Sequence, residues 1–136
     1  MKIFVVASKY CFDRAAPIVE SLKTSGHEVT LPNSYDDPFK EERVKNETPE
    51  QHAEWKAAML RLQREKVSCN DAVLVLNFDK RGQQNYIGGA TFLEVFKAWE
   101  LGKKIFFYNP LPEGMLHDEL VGMNPTVISG DLGLIS

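Results

Sequence analysis

Apolar runs that suit buried strands recur along the chain. Continuous runs of β-branched, aromatic and other apolar residues, as expected of parallel strands covered on both faces, occupy Lys2–Ala7, Ala72–Asn77 and Lys104–Tyr108. Shorter runs at Glu28–Leu31 and Thr126–Ser129 predict a second strand and a last, edge strand. The pattern therefore predicts about five strands.

The segments between these runs carry apolar residues at helical spacing. In Asp13–Ser25 they recur every three or four positions, as on one face of an amphipathic helix. A long helix is predicted to begin at Thr48, whose hydroxyl can form a capping box with Gln51. Its apolar stripe, which includes Trp55 and Met59, is predicted to be buried. A short helix or turn is predicted before the last strand.

Strand and helix alternate throughout the chain, which predicts a single α/β domain over residues 1–136. Right-handed crossovers should build a three-layer sandwich around a parallel sheet of about five strands, in the flavodoxin-like or Rossmann-like order 2-1-3-4-5. Because this order reverses between strands 1 and 3, a ligand cleft is expected above Ser8, Asn77 and the helix that begins at Gly88. The polar segment Tyr35–Glu47 has no clear period and is predicted to form a mobile lid or an excursion over that cleft.

Composition and charge exclude several classes of protein. The chain is 43% apolar and 26% charged with a net charge of −3, and no basic stripe stands out, so we expect no nucleic-acid partner. The apolar run Met1–Ala7 is too short for a signal peptide or a membrane span, so we expect no membrane partner. Cys11 and Cys69 are interpreted as reduced thiols, so we expect a cytoplasmic location. The three His and two Cys residues are scattered, so no metal site is expected.

Two common nucleotide-binding motifs are missing from the sequence. It contains neither a GxxxxGK[ST] loop nor a GxGxxG loop after the first strand. The chain is therefore predicted to be neither a phosphate-loop NTPase nor a dinucleotide-binding protein of the usual kind, and no cofactor is indicated.

The main candidate for chemistry is Glu94, on the helix that follows Gly88. That helix is predicted to bury a stripe of four large residues, Phe92, Val95, Phe96 and Trp99. Glu94 falls on neither this stripe nor the charged face of the helix. A carboxylate in such a partly apolar setting loses hydration, so its pKa rises and it becomes a better general acid or nucleophile. The alternative is a solvated helix acid at the edge of the core.

Polar groups that follow the strands are the candidates for binding a ligand. Gly88 and Gly89 allow backbone N–H groups at the helix start to approach a negatively charged ligand. Ser8 and Lys9 follow strand 1 directly and are candidates for holding an anion or a hydroxyl, although a solvated loop tip has the same composition.

Two further candidates, Asn77 and Asp79, lie where strand 3 ends and are predicted to face the same cleft. Asp79 is suited to holding a sugar hydroxyl or orienting a base. The stretch Phe78–Gly82 also has the composition of a plain turn, which leaves both interpretations open.

The sequence around Glu94 resembles the nucleoside 2-deoxyribosyltransferase superfamily, which also contains deoxynucleoside monophosphate N-glycosidases. In that family a glycine-containing loop precedes a glutamate, an alanine follows four positions on, and Leu-Gly-Lys comes before the next strand. Glu94, Ala98 and Leu101–Lys103 keep this spacing, and the likeness extends loosely over Lys2–Asn109. The resemblance implies that Glu94 is the nucleophile that attacks the anomeric carbon of the sugar.

The same resemblance implies how the rest of the site is used. The loop after strand 1 would hold the 5′ end of the substrate through Ser8, with Lys9 near a basic residue of the phosphate-handling members. The family commonly has a tyrosine and a glycine where this chain has Phe4 and Phe96.

The implied function is cleavage or transfer of the N-glycosidic bond of a small-molecule deoxynucleoside or its monophosphate. The alternative, which Phe4 and Phe96 favour, is a nucleotide-binding or nucleotide-sensing module without turnover. Cleavage of NAD-like dinucleotides is a third possibility that no residue specifically indicates. The family forms homo-oligomers, so at least a homodimer is expected, packed through the helices that begin at Thr48 and Gly88.

Overall fold

A five-stranded parallel sheet forms the centre of the molecule, with the predicted strand order β2-β1-β3-β4-β5. The computed structural model describes all residues from Met1 to Ser136. Each pair of neighbouring strands runs parallel. The strands are β1 (Lys2–Ala7), β2 (Glu28–Thr30), β3 (Ala72–Leu76), β4 (Lys104–Phe107) and β5 (Thr126–Val127).

Five helices connect or flank these strands. They are α1 (Phe12–Thr24), α2 (Lys40–Lys45), α3 (Pro49–Ser68), α4 (Gly89–Glu100) and α5 (His117–Gly122). The predicted helices are all present, with bounds that differ by a few residues. Helix α2 was not predicted, because it lies inside the segment 35–47, where the apolar residues have no clear period.

The start of α3 is fixed by the predicted capping box. The Thr48 hydroxyl accepts a hydrogen bond from the Gln51 amide at 3.1 Å, and the Gln51 side chain accepts one from the Thr48 amide at 3.0 Å. Pro49 occupies the first helical turn, where its missing N–H has no helical partner to lose. These contacts determine where the long helix beside the site begins.

The sheet separates two apolar clusters, which confirms the three-layer architecture. Successive residues of β1 point to opposite faces, so Ile3 and Val5 join one cluster while Phe4 and Val6 join the other. The first cluster includes the buried face of α1, and the second includes residues of α3, α4 and α5. The second cluster is the one that lies beside the candidate site.

The buried face of α4 differs from the predicted one. Its buried residues are Thr91, Glu94, Val95 and Ala98. The predicted burial of Phe96 and Trp99 is wrong, since these side chains are 38% and 50% exposed. The helix meets the sheet through small and medium-sized residues, and the two large rings lie together on the outside with centroids 5.9 Å apart. Glu94 therefore lies on the buried face.

The apolar stripe of α3 also differs from its prediction. Trp55 and Met59 are half-buried and line a cavity, whereas the buried residues of this helix are Gln63 and Val67. The stripe faces the cavity more than the core, since Trp55, Met59 and Leu60 all line the cavity.

The remaining features of the fold concern membranes, metal ions and thiols. No helix combines the length and the apolar character needed to cross a membrane. No three or more His, Cys, Asp or Glu side chains come together in a group that could hold a metal ion. The thiols of Cys11 and Cys69 are unpaired; the first is buried and the second is exposed.

Candidate functional site

A cavity of about 260 Å³ lies at the carboxyl ends of β1 and β3, where the strand order reverses. Its walls come from the loops after β1, β2 and β3, from the first turns of α4 and from one side of α3. Five of the predicted site residues line it together: Ser8, Lys9, Gly88, Gly89 and Glu94. The position follows from the parallel topology, because the loops at the carboxyl ends of the strands diverge at this switch point.

Glu94 is the acid buried in the wall of this cavity. The residue is 7% exposed, and neither hydrogen bonds nor ion pairs from the rest of the protein reach its carboxylate. Burial raises the pKa of Glu94 to about 8, while the positive charges of Lys66 and Lys56 act in the opposite direction. The carboxylate is thus poorly solvated, unpaired and open to a molecule in the cavity.

The positive charge with the larger effect on Glu94 belongs to Lys66 of α3, which is itself partly buried. Its ammonium donates a hydrogen bond to the carbonyl of Leu31 at 2.9 Å and lies 5.8 Å from the centroid of the Phe4 ring. Burial lowers the pKa of Lys66, and the charge of Glu94 opposes that change. Phe4 is fully buried and has no donor group, so the support for an ionised Glu94 comes from lysines at a distance.

The groups suited to an anion lie at the loop after β1 and at the start of α4. The Ser8 hydroxyl makes no hydrogen bond within the protein, although the Ser8 carbonyl accepts one from the Cys11 amide at 2.9 Å. Gly88 is the N-cap of α4, and no side chain caps the helix there. The first backbone N–H groups of α4 are therefore free to bind a ligand, and the helix dipole favours a negative one.

The two glycines of this loop serve different purposes. A Cβ atom on Gly88 would lie 3.2 Å from the hydroxyl of Tyr86, so the glycine makes room for that ring beside the helix start. Around Gly89 a Cβ atom would meet nothing within 4 Å, which leaves the backbone open to the cavity. Of the two, Gly89 fits the predicted close approach of a ligand to the backbone.

The segment 35–47 lies over the cavity, as predicted, and its mobility stays a prediction. Glu41 of α2 lines the cavity and is bonded to His52 and Lys56 of α3. Glu42 forms an ion pair with Lys9, and this hydrogen bond is the main reason why the pKa of Glu42 falls below its usual value. In this structure the charge of Lys9 is therefore already paired.

The structure does not bring Asn77 and Asp79 to the cavity. The Asn77 amide donates to the carbonyls of Asn109 and Pro110 at 3.1 and 2.9 Å, and its oxygen accepts from the Asn109 amide at 2.9 Å. Asn77 is fully buried and joins the end of β3 to the end of β4. The prediction that it faces the cleft is wrong, because the neighbouring chain offers it three backbone partners.

Asp79 has a supporting position outside the cavity. It is exposed, and its carboxylate accepts a hydrogen bond from the Asn85 amide at 2.9 Å. That contact closes the loop after β3, which carries Lys80 and Tyr86 into the cavity wall. The carboxylate of Asp79 therefore shapes the loop.

Several lining residues were not among the predicted site residues. Thr91 is buried in the cavity wall one helical turn before Glu94. Residues three apart on a helix share a face, so this spacing could have indicated that Thr91 lies beside Glu94. Lys80 lies in a turn that had no distinguishing pattern. Glu41 lies on the unpredicted helix α2, so its place could not be inferred from periodicity.

Two solved structures are similar to this fold over most of the chain. One is the CMP N-glycosidase BcmB of Clostridium botulinum, at 16% identity and a TM-score of 0.54, covering 93% of this chain and 85% of that one. The other is the 2-deoxyribosyltransferase of the psychrotolerant bacterium Bacillus psychrosaccharolyticus, at 18% identity and a TM-score of 0.53, covering 85% of this chain and 77% of that one. No protein-family model and no curated protein sequence matches the chain.

These likenesses define the class of fold. This chain has a parallel sheet of order 2-1-3-4-5 with flanking helices, and both neighbours match that fold over most of their length. The chain therefore has the same α/β fold as an N-glycosidase and a 2-deoxyribosyltransferase. A shared fold alone does not determine the reaction, which has to be argued from the site.

Proposed function

We propose that this protein cleaves or transfers the N-glycosidic bond of a deoxynucleoside or deoxynucleoside monophosphate, with Glu94 as the nucleophile. The observation that carries the proposal is a buried, unpaired carboxylate in the wall of a cavity at the switch point of the sheet. Unpaired buried acids are costly to keep in a core, so their presence in a cleft favours a role in chemistry.

In the proposed reaction a carboxylate oxygen of Glu94 attacks the anomeric carbon of the sugar. The bond between that carbon and the base nitrogen breaks, and the base leaves with the bonding electron pair and takes up a proton. Charge on the sugar develops as in an oxocarbenium ion, which the nearby carboxylate stabilises. In the second step the oxygen of water, which gives hydrolysis, or a nitrogen of a second base, which gives transfer, attacks the anomeric carbon. The ester bond breaks, Glu94 leaves as a carboxylate, and the attacking group loses one proton, which balances the proton taken up by the first base.

The environment of Glu94 supports nucleophilic attack once the acid is ionised. With a pKa of about 8, Glu94 is ionised in roughly one-tenth of the molecules at pH 7. A carboxylate that is poorly hydrated has fewer water molecules to lose before it attacks. Lys66 and Lys56 favour the ionised form, since their charges lower the pKa against the effect of burial.

The polar and apolar lining of the cavity favours one orientation of a bound nucleotide. Ser8, Lys9 and the free N–H groups at Gly88–Gly89 suit the 5′ end of a nucleotide, and Trp55 and Met59 offer apolar surface to a base. A charge-assisted contact of this kind contributes about 1.5–3 kcal/mol, roughly ten- to a hundredfold in affinity. We therefore expect tighter binding of a monophosphate than of the bare nucleoside, and one structural neighbour is named for a nucleoside monophosphate, CMP.

The second candidate is a nucleotide-binding or nucleotide-sensing module without turnover. It is favoured by the lack of any hydrogen bond to the Glu94 carboxylate, because catalytic acids are commonly oriented by a neighbouring donor. Phe4 provides only an apolar ring at this point of the core.

One experiment separates the two candidates. The purified protein is incubated at pH 8 with each deoxynucleoside and each deoxynucleoside monophosphate, and free base is measured by chromatography. The proposed enzyme releases base from at least one of these substrates. Binding measured by calorimetry, together with no release from any of them, would instead identify the sensing module.

A further inference from the structure

The ammonium of Lys80 lies between two tyrosine rings at the wall of the cavity. Its nitrogen is 4.4 Å from the centroid of the Tyr10 ring and 4.5 Å from that of the Tyr86 ring. Both distances are within the range of a favourable cation–π contact. The two tyrosines come from the loops after β1 and β3, so Lys80 marks the place where these loops meet.

The loop that carries Lys80 has a defined conformation. Lys80 and Gln83 exchange two backbone hydrogen bonds of 2.9 Å each, and the turn between them contains Arg81 and Gly82 at φ 49° and 78°. Positive φ at both central residues is the geometry of the tight turn that joins two antiparallel segments. The Asp79 carboxylate closes the base of the loop on the Asn85 amide. The position of Lys80 is thus built by the loop.

Lys80 differs from the other lysines of the cavity in having no acidic partner. Lys9 is paired with Glu42, and Lys56 lies 3.3 Å from Glu41. No carboxylate is within ion-pair distance of Lys80, and the groups that contact its ammonium are the rings of Tyr10 and Tyr86. Tyrosine rings hold an ammonium in place while they leave its charge available to an anion.

The other groups suited to an anion line the same cavity. The Ser8 hydroxyl is unbonded, and the first turn of α4 has no side-chain cap. Tyr86 connects Lys80 to that helix start, because its hydroxyl occupies the space beside Gly88. A phosphate between the loop after β1 and the start of α4 would therefore have Lys80 as its uncommitted cation.

We propose that Lys80 is the residue that makes this site select a 5′-monophosphate over the bare nucleoside. This inference rests on the proposed function for the identity of the substrate class, and it replaces Lys9 with Lys80 as the main source of positive charge. Lys9 would have to break its ion pair with Glu42 before it could bind the same phosphate, whereas Lys80 breaks none.

The test measures binding in the Glu94→Gln background, where the substrate is not consumed. Calorimetry at low salt compares each deoxynucleoside 5′-monophosphate with its deoxynucleoside. We expect the monophosphate to bind ten- to a hundredfold more tightly. Lys80→Met should remove most of that preference and leave the affinity for the nucleoside nearly unchanged, and Lys80→Arg should retain the preference.

Two matched variants serve as controls. Arg81→Met changes the next cation of the same turn, which lies 5.5 Å from the centroid of the same Tyr10 ring but does not line the cavity, and should leave the preference within about threefold. Lys9→Met removes the paired lysine and should reduce the preference less than Lys80→Met does. Melting temperatures confirm that each variant is folded.

The proposal is overturned if Lys80→Met keeps the preference, if Lys9→Met removes it instead, or if the parent protein shows no preference. These binding measurements do not depend on turnover, so they still test the role of Lys80 if the protein releases no base. Conversely, base release without a phosphate preference would keep the proposed function and remove only this inference.

Discussion

The Nε2 atom of His52 lies 3.1 Å from the Oε2 atom of Glu41, and this contact joins α3 to α2 above the cavity. Burial works against the ionised carboxylate, but the hydrogen bond from His52 and the charge of Lys56 hold the pKa of Glu41 below its usual value. Val44 is the one buried residue of α2. Helix α2 is therefore held above the cavity mainly by ionic contacts, whereas Tyr35 and Phe39, before the helix, contact the rings of Phe12 and Tyr10.

Glu41→Gln should loosen α2 because it weakens the contacts to both His52 and Lys56. The expected result is faster amide hydrogen exchange in residues 40–45 at pH 7, with little change in the sheet. Glu47→Gln is the control, since Glu47 is exposed and forms no ion pair. Unchanged exchange in the Glu41 variant would show that other contacts hold the segment.

Much of the fold could be predicted because strand and helix patterns were unambiguous in this chain. The runs Lys2–Ala7 and Ala72–Asn77 have the continuous apolar character of central parallel strands. The capping box of Thr48 and Gln51 predicted where α3 begins. Once five strands alternate with helices, handedness and short connections leave few strand orders. The place of Glu94 in the cavity followed from that order.

The remaining errors concern choices that depend on neighbouring segments. The rotation of α4 about its axis could not be inferred, because Val95 with Ala98 and Phe96 with Trp99 both have helical spacing. Asn77 could turn toward the cleft or toward the next strand, and only the loop at Asn109 decides between them. The place of Lys80 depends on a tight turn that meets Tyr10 from another loop.

Base release should depend on pH through the ionisation of Glu94. The nucleophile has to be ionised, and burial raises its pKa to about 8, so activity should rise with pH and reach half its maximum near pH 8. Lys66→Met removes a charge that favours the ionised form, so the same profile should move to higher pH. The measurement is kcat/KM for base release between pH 6 and 10.

Arg64→Met serves as the control for the Lys66 variant, because Arg64 lies on the same helix and is exposed. Its profile should match that of the parent protein. An NMR titration of the Glu94 carboxyl carbon reads the same shift without relying on turnover. A profile that stays in place when Lys66 is replaced would contradict the assigned role of that lysine.

Glu94 should also make the stability of the protein depend on pH. Its pKa is about 8 in the folded state against 4.5 for an unperturbed glutamate, so between these values the folded state holds a proton that the unfolded state has released. Unfolding free energy therefore falls as pH rises through this window, by up to about 1.4 kcal/mol per pH unit. Glu94→Gln lacks this dependence, so its melting temperature should exceed that of the parent protein at pH 9 and nearly match it at pH 4.

The exposed rings of α4 predict an interface between copies of the chain. Leu93, Phe96 and Trp99 are 46%, 38% and 50% exposed, which is a large apolar area for a helix on the surface of a small domain. We expect at least a dimer by light scattering, and Phe96→Ser with Trp99→Ser should shift it toward the monomer. Met115→Ser changes an exposed apolar residue in the loop before α5, away from Phe96 and Trp99, and should have no effect. A parent protein that is monomeric at high concentration would exclude this interface.

The most direct test of the central claim compares base release by the parent protein and by Glu94→Gln on the best substrate at pH 8. Glutamine keeps the shape of the side chain but cannot attack as an anion, so release should fall by several orders of magnitude while the melting temperature stays the same or rises. A structural acid gives the opposite result, with a lower melting temperature and release in proportion to the folded protein. Undiminished base release by a fully folded Glu94→Gln variant would contradict the assignment of Glu94 as the nucleophile.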